Sequence, residues 1–128
     1  MKTVLPSILI AILLIWGATI ASKNQTVQNT ETPINNVTIV DGTQIVELDA
    51  KGGYSPRRSV AQANIPTIIR FQTNGTFDCS SSVRIPSINI SKILPSTGTE
   101  DINIGPQPIS IFKGSCGMGM YPFEIEFK

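Results

Sequence analysis

From Gly114 to Lys128 the sequence reads GSCGMGMYPFEIEFK, and its two halves carry different signals. In the second half Phe123, Ile125 and Phe127 alternate with Glu124, Glu126 and Lys128. Apolar side chains recurring every second residue mark a strand with one face in a core. In the first half sulfur alternates with glycine, so that Cys116, Met118 and Met120 are separated by Gly117 and Gly119. Glycine removes side-chain bulk and permits the backbone angles of a tight turn. Such a loop can fold its thiol and thioethers towards one point, just before the strand begins.

The same period recurs upstream. Ile102 and Ile104 suggest a short strand, ended by the punctuation of Pro106 and Pro108. Thr67, Ile69 and Phe71 alternate with Ile68, Arg70 and Gln72 ahead of an Asn74-Gly75 turn signal. Val46, Leu48 and Ala50 alternate with Ile45, Glu47, Asp49 and Lys51 behind an Asp41-Gly42 turn, until the run GGYSP from Gly52 to Pro56 breaks the strand. No window beyond the N-terminal segment supports an amphipathic helix of about ten residues or more. Short strands separated by Gly/Pro turns predict an all-β sandwich or barrel over residues 37–128.

The segment ahead of that domain reads as a targeting sequence. Lys2 gives a short positive start, and Val4 to Ala21 is almost wholly apolar, interrupted by Pro6 and Ser7. The length is borderline between a signal-peptide core and a membrane-spanning helix, so residues 1–21 are expected to be a signal peptide or transmembrane anchor. Residues 22–36 (SKNQTVQNTETPINN) are polar and without periodicity, which predicts a flexible linker. On this reading the domain is exported and works at the outer face of the cytoplasmic membrane, periplasmic or extracellular.

Composition removes much chemistry. The chain of 128 residues has a net charge of +1 with charged residues dispersed, so it offers no basic stripe for nucleic acid. It contains no histidine. That excludes the usual general base at neutral pH, the Ser–His and Cys–His nucleophile pairs, and the imidazole ligands of zinc enzymes and blue-copper centres. There is no nucleophile elbow, phosphate-binding glycine motif or acidic metal cluster, so an enzyme is not expected. Tyr54, Arg57, Arg58, Asp78 and Asp101 read as turn residues, and Ser80 to Ser82 as loop chemistry beside Cys79.

Sulfur remains. Apart from Met1, every sulfur atom belongs to Cys79, Cys116, Met118 or Met120. Thiolate and thioether are soft donors that select Cu(I) over hard cations. Two cysteines in an exported domain are equally the material of a disulfide, worth ~3–4 kcal/mol on the chain-entropy model for this spacing. Both readings stay open on the residues alone.

The run GGYSPRRSVAQANIPTIIRFQTNGTFDCSSSVRIPSINI, together with GSCGMGMYPFEIEF, resembles the small bacterial cupredoxin-like domains associated with heavy-metal transport and iron/copper uptake proteins. The resemblance covers roughly residues 45–128 and is most specific at Cys116 to Tyr121. It implies a cupredoxin-like Greek-key β-sandwich, and the apolar segment read at residues 1–21 is expected to precede it as an N-terminal hydrophobic helix. It implies that Cys79 stands where electron-transfer cupredoxins place their first histidine ligand. Cys116 then opens the C-terminal ligand loop, with Met118 or Met120 inside it. Lacking imidazole, such a site would not stabilise Cu(II) in the blue-copper geometry. The expected function is therefore a membrane-tethered module that binds Cu(I) or Ag(I) through Cys79, Cys116, Met118 and Met120. It would sequester the ion or exchange it with a copper transporter or envelope metalloprotein. The alternative is a metal-free, disulfide-stabilised interaction domain of the cell envelope.

Overall fold

The computed structural model describes residues 35–128. Asp41 and Gly42 both take positive φ, 50° and 78°, which a two-residue hairpin turn requires. The turn joins β1 (Val37–Val40) to β2 (Thr43–Ala50), with Val40 opposite Thr43. Eight further strands complete the domain: β3 (Tyr54–Ser55), β4 (Arg58–Ala61), β5 (Thr67–Thr73), β6 (Ser82–Ile85), β7 (Ile90–Ile93), β8 (Gly98–Asn103), β9 (Ser110–Cys116) and β10 (Pro122–Phe127).

They form two sheets. One has the order β1-β2-β5-β8, with β3 pairing to β2, and the other has the order β4-β10-β9-β6-β7. The pairs β2·β5 and β4·β10 are parallel, and the remaining pairs are antiparallel. Parallel neighbours cannot be joined by a tight turn. The chain accordingly leaves each sheet for the other between them, as in the passage from β5 to β6 that carries Cys79.

The alternation expected from the sequence is the alternation of burial. Val46, Leu48 and Ala50, then Ile69 and Phe71, then Ile102 and Ile104, and finally Phe123, Ile125 and Phe127 all lie in one core. Tyr54, expected in an exposed turn, belongs there too. Its ring stands edge-on to Phe71 and Phe123 at centroid distances of 5.7 and 5.1 Å, and those two rings meet at 5.7 Å. Arg58, also read as a turn residue, sits in β4 with its side chain in solvent, 3.5 Å from Glu124. Every buried side-chain polar atom among the described residues has a hydrogen-bond partner.

Asn36, placed at the end of the linker by its composition, is built into the domain. Its amide donates to Ser59 Oγ at 2.8 Å and to the Glu47 carbonyl at 3.0 Å. The hydrophobic segment 1–21 and the linker up to residue 34 lie outside the described residues. Among the described residues no helix is long and apolar enough to cross a membrane.

Candidate metal centre

The site is assembled where β2 ends and β5 hands the chain to β6. Thr76 Oγ1 donates to the Ala50 carbonyl at 2.5 Å, which pins the crossing segment to the end of β2. Asp78 then starts a 3-10 turn, Cys79–Ser81. Its Oδ1 accepts the Ser80 N–H at 2.9 Å and the Ser80 hydroxyl, and its carbonyl accepts the Ser81 N–H at 3.1 Å. This is the usual work of an aspartate that folds the chain over itself two residues on. Here the carboxylate does more, because Oδ2 also accepts the Gly52 N–H at 2.5 Å from the turn between β2 and β3.

The 3-10 turn runs into β6, where Val83 stands opposite Cys116 of β9. Just beyond Cys116, the Gly117 N–H donates to the Ser82 carbonyl at 3.1 Å, and the Tyr54 hydroxyl donates to the same oxygen at 3.1 Å. Gly117 suits that approach, since a Cβ there would press on Ser82 Oγ and make the hydroxyl turn away. The two cysteines consequently lie 5.6 Å apart between Cα atoms, and they are joined as a disulfide. Cys116 is fully buried and Cys79 is half-buried.

The methionines are elsewhere. The Gly119 N–H donates to the Cys116 carbonyl at 2.9 Å, and the Cys116 N–H donates to the Tyr121 carbonyl at 3.1 Å, closing a tight loop between β9 and β10. Met118 and Met120 project from it into solvent, 80% and 61% exposed. Phe77, on the other cysteine segment, is 85% exposed. Of the four expected ligand residues, the structure brings Cys79 and Cys116 together and leaves Met118 and Met120 at the rim of the same end. No cluster of three or more His, Cys, Asp or Glu side chains could hold a metal ion among the described residues.

Two residues read from sequence as plain turn positions shape the electrostatics here. The Ser80 hydroxyl, helped by the Gly52 and Ser80 N–H groups and opposed by desolvation, holds the Asp78 carboxyl below the usual carboxylate range. Burial, reinforced by the Asp78 charge, pushes the Tyr54 hydroxyl well above its ordinary value, so it stays a donor to Ser82. The pattern Asp-x-Ser was the available signal for the first. For the second, only the partner rings could show that Tyr54 is a core residue.

Chemically the donor set is sulfur and nothing else. As a disulfide it offers no thiolate. Adding two electrons and two protons opens the bond to two thiols side by side, which on deprotonation become soft ligands. Such a pair fits Cu(I) or Ag(I), and it does not fit a Cu(II) centre that needs imidazole.

A family model described as a cupredoxin-like domain matches residues 9–125. No curated protein matches the chain. Among solved structures, the fold is similar to the NMR solution structure of a copper binding protein in the apo form. The TM-score is 0.66 at 23% identity, over 72% of this chain and 94% of that one. It is also similar to the crystal structure of the metal binding domain of the Streptococcus pneumoniae D39 Cu(I) exporting P-type ATPase CopA with Cu(I). There the TM-score is 0.65 at 22% identity, over 72% of this chain and 92% of that one.

Proposed function

The chain belongs to the cupredoxin-like domain family, and from that premise we propose that it is an exported, membrane-tethered module that binds Cu(I) or Ag(I) and passes it on or sequesters it. The observation that carries this reading is the convergence of Cys79 and Cys116. Two segments separated by 37 positions are folded to a Cα distance of 5.6 Å at one end of the sandwich. The other two sulfur residues stand exposed at the rim of that end. The copper-binding neighbours support the choice of metal. The absence of histidine from the sequence supports Cu(I) over Cu(II).

In this reading Cys116 is the anchoring thiolate, because it is buried and held on both sides by main-chain hydrogen bonds. Cys79 is the second thiolate. Met118 or Met120 is a labile thioether that can approach from solvent and leave with little cost, which suits transfer to a partner's sulfurs. The domain is a carrier and not a catalyst. Its metal-binding form is the reduced one, so the disulfide is the resting or switched-off state.

An anaerobic titration of the reduced 128-residue chain with Cu(I), against a competing chelator, tests this. A tight 1:1 complex is expected, lost in Cys116→Ser and weakened in Cys79→Ser and in Met118→Leu or Met120→Leu. No competition by the reduced chain would sink the reading. The formed disulfide would then favour the second one, a metal-free stapled interaction domain. In that case the protein prepared without reductant should show no titratable thiol, and reduction should only destabilise it.

A further inference from the structure

We propose that Asp78 is the positioning residue of the sulfur site: its carboxylate holds Cys79 against Cys116 when no disulfide does so. The inference rests on the soft-metal reading above.

The two cysteines are held by different means. Cys116 is the last residue of a strand paired on both sides, to β10 and to β6, and its own N–H is bonded to Tyr121. These main-chain bonds do not involve the disulfide. Cys79 belongs to no sheet. It lies in a three-residue turn after the crossing from β5, which Thr76 ties to Ala50 and Ser96, and apart from the disulfide its direction depends on the contacts that fix that turn.

The Asp78 side chain fixes it from both directions. Oδ1 gathers the Ser80 N–H and hydroxyl, which sets the curvature of the turn and so the direction in which Cys79 points. Oδ2 takes the Gly52 N–H, which ties the turn to the hairpin between β2 and β3. That hairpin is in turn placed against the sulfur loop, because Gly53 lies against the Tyr121 ring. One carboxylate therefore connects the Cys79 turn, the Gly52-Gly53 hairpin and, through Tyr121, the segment that carries Cys116, Met118 and Met120. Hydrogen bonds to a charged acceptor are stronger than neutral ones, and both oxygens are engaged. Pre-arranged ligands bind more tightly because the ordering has already been done in the fold.

Two measurements on the 128-residue chain test this. The first is the equilibrium between the Cys79–Cys116 disulfide and glutathione, which reports how often the two thiols meet and needs no metal. The second is Cu(I) affinity by anaerobic competition. Asp78→Ala should lower both by about tenfold or more, as expected for losing hydrogen bonds to a charged group. Asp78→Asn keeps an oxygen for Ser80 but turns a donor towards Gly52, and should fall between. Phe127→Leu, a core change at the opposite end of β10, should lower the thermal midpoint and leave both equilibria of the folded protein unchanged. Should Asp78→Ala fail to fold, Ser80→Ala should move both equilibria in the same direction by a smaller factor.

A disulfide equilibrium unaltered in Asp78→Ala would overturn the proposal. So would a shift in Phe127→Leu as large as that in Asp78→Ala, since the effect would then be general loosening. An Asp78-dependent disulfide equilibrium in a chain that binds no Cu(I) would uphold the positioning and remove the soft-metal reading.

Discussion

At one end of the sandwich Gln44 reaches out of β2, and at the other Asp78 reaches back to the end of β2. Gln44 is buried and its amide is fully used. Oε1 accepts the Gln62 N–H at 2.8 Å, while Nε2 donates to the Gln62 carbonyl at 3.1 Å and to Thr67 Oγ1 at 3.0 Å. Asp78 is exposed, yet it makes the same kind of connection, from side chain to a main-chain donor of a separate segment. The surroundings decide what each clasp is for. A buried amide cannot be released without losing its bond to the buried Thr67 hydroxyl, which water does not reach, so it acts on stability. A carboxylate in water is replaced by water when lost, so it acts mainly on where its neighbours sit. Beside it lies the one connection in the molecule that chemistry can open and close, the Cys79–Cys116 bond.

The sharpest way to break that comparison is to open the bond. Reduction should lower stability by ~3–4 kcal/mol on the chain-entropy model. Urea unfolding of oxidised and reduced protein, with Cys79→Ala/Cys116→Ala as a check, measures it. If reduction costs almost nothing, the sulfur end is already held by its hydrogen bonds, and the disulfide is a pure switch.

The amide clasp comes next. Gln44→Leu removes the donor to the buried Thr67 hydroxyl and the partner of the Gln62 main chain, which water can replace in part because Gln62 is exposed, and should cost about 1–2 kcal/mol. Cu(I) affinity of the folded protein should be unchanged, because the clasp lies at the far end of β2 from the cysteines. A fall in affinity as large as that in Asp78→Ala would mean that the two ends are not independent.

Tyr54→Phe probes the boundary between the two regimes. The ring stays in the aromatic cluster with Phe71 and Phe123, and only the hydroxyl donated to Ser82 is lost. A cost of about 1 kcal/mol is expected in urea unfolding. The partner is a main-chain oxygen that the Gly117 N–H still satisfies, which keeps the cost from rising further.

The sequence made the core legible wherever a strand was long enough to show its period. Val46 to Ala50, Thr67 to Phe71 and Phe123 to Phe127 each declare a buried face, and each is buried. The strands β4, β6 and β7 carry no readable period, because a four-residue strand offers at most two inward positions, as with Val83 and Ile85. β9 is masked for another reason. Its inward face includes Gly114, opposite Phe123 in the register, where the aromatic ring fills the space that a side chain would occupy. A glycine inside a strand looks like a break when its partner is unknown. Pairing was illegible throughout, since nothing local in β2 says that β5 will run parallel to it. At the site, the sulfur residues were plain from their chemistry and the glycines between them. Their state could not be read. The same two cysteines serve a disulfide or a metal, and the methionines, expected to converge, face water in the oxidised form. Asp78 was recognised as a turn former, but its second oxygen points at Gly52, 26 positions away, and no local pattern encodes that.

The smallest expected effect sets the scale for calling Asp78 a positioning group. Arg70 and Asp101 form a two-pronged pair across β5 and β8, with Nε to Oδ1 at 2.8 Å and NH2 to Oδ2 at 2.9 Å, on a surface away from the sulfur end. The Arg70 hydrogen bond and charge, against a desolvation that works the other way, hold the Asp101 carboxyl below its ordinary value. A carboxyl depressed in the folded state binds its proton more readily when unfolded. Its contribution is therefore complete above the unfolded value of about 4 and is lost as pH falls through the folded value. Both groups are partly exposed, so screening by solvent limits that contribution to about 0.5 kcal/mol. Urea unfolding of wild type and Asp101→Asn at pH 7 should show that difference, and it should close as the pH falls through the depressed folded-state value of the carboxyl. Asp78, another exposed carboxylate, should likewise be worth little to stability, so a large effect of Asp78→Ala on the disulfide and on Cu(I) would be an effect of position. If Asp101→Asn instead cost several times more, exposed carboxylates in this fold would be structural, and the distinction between its two ends would fall.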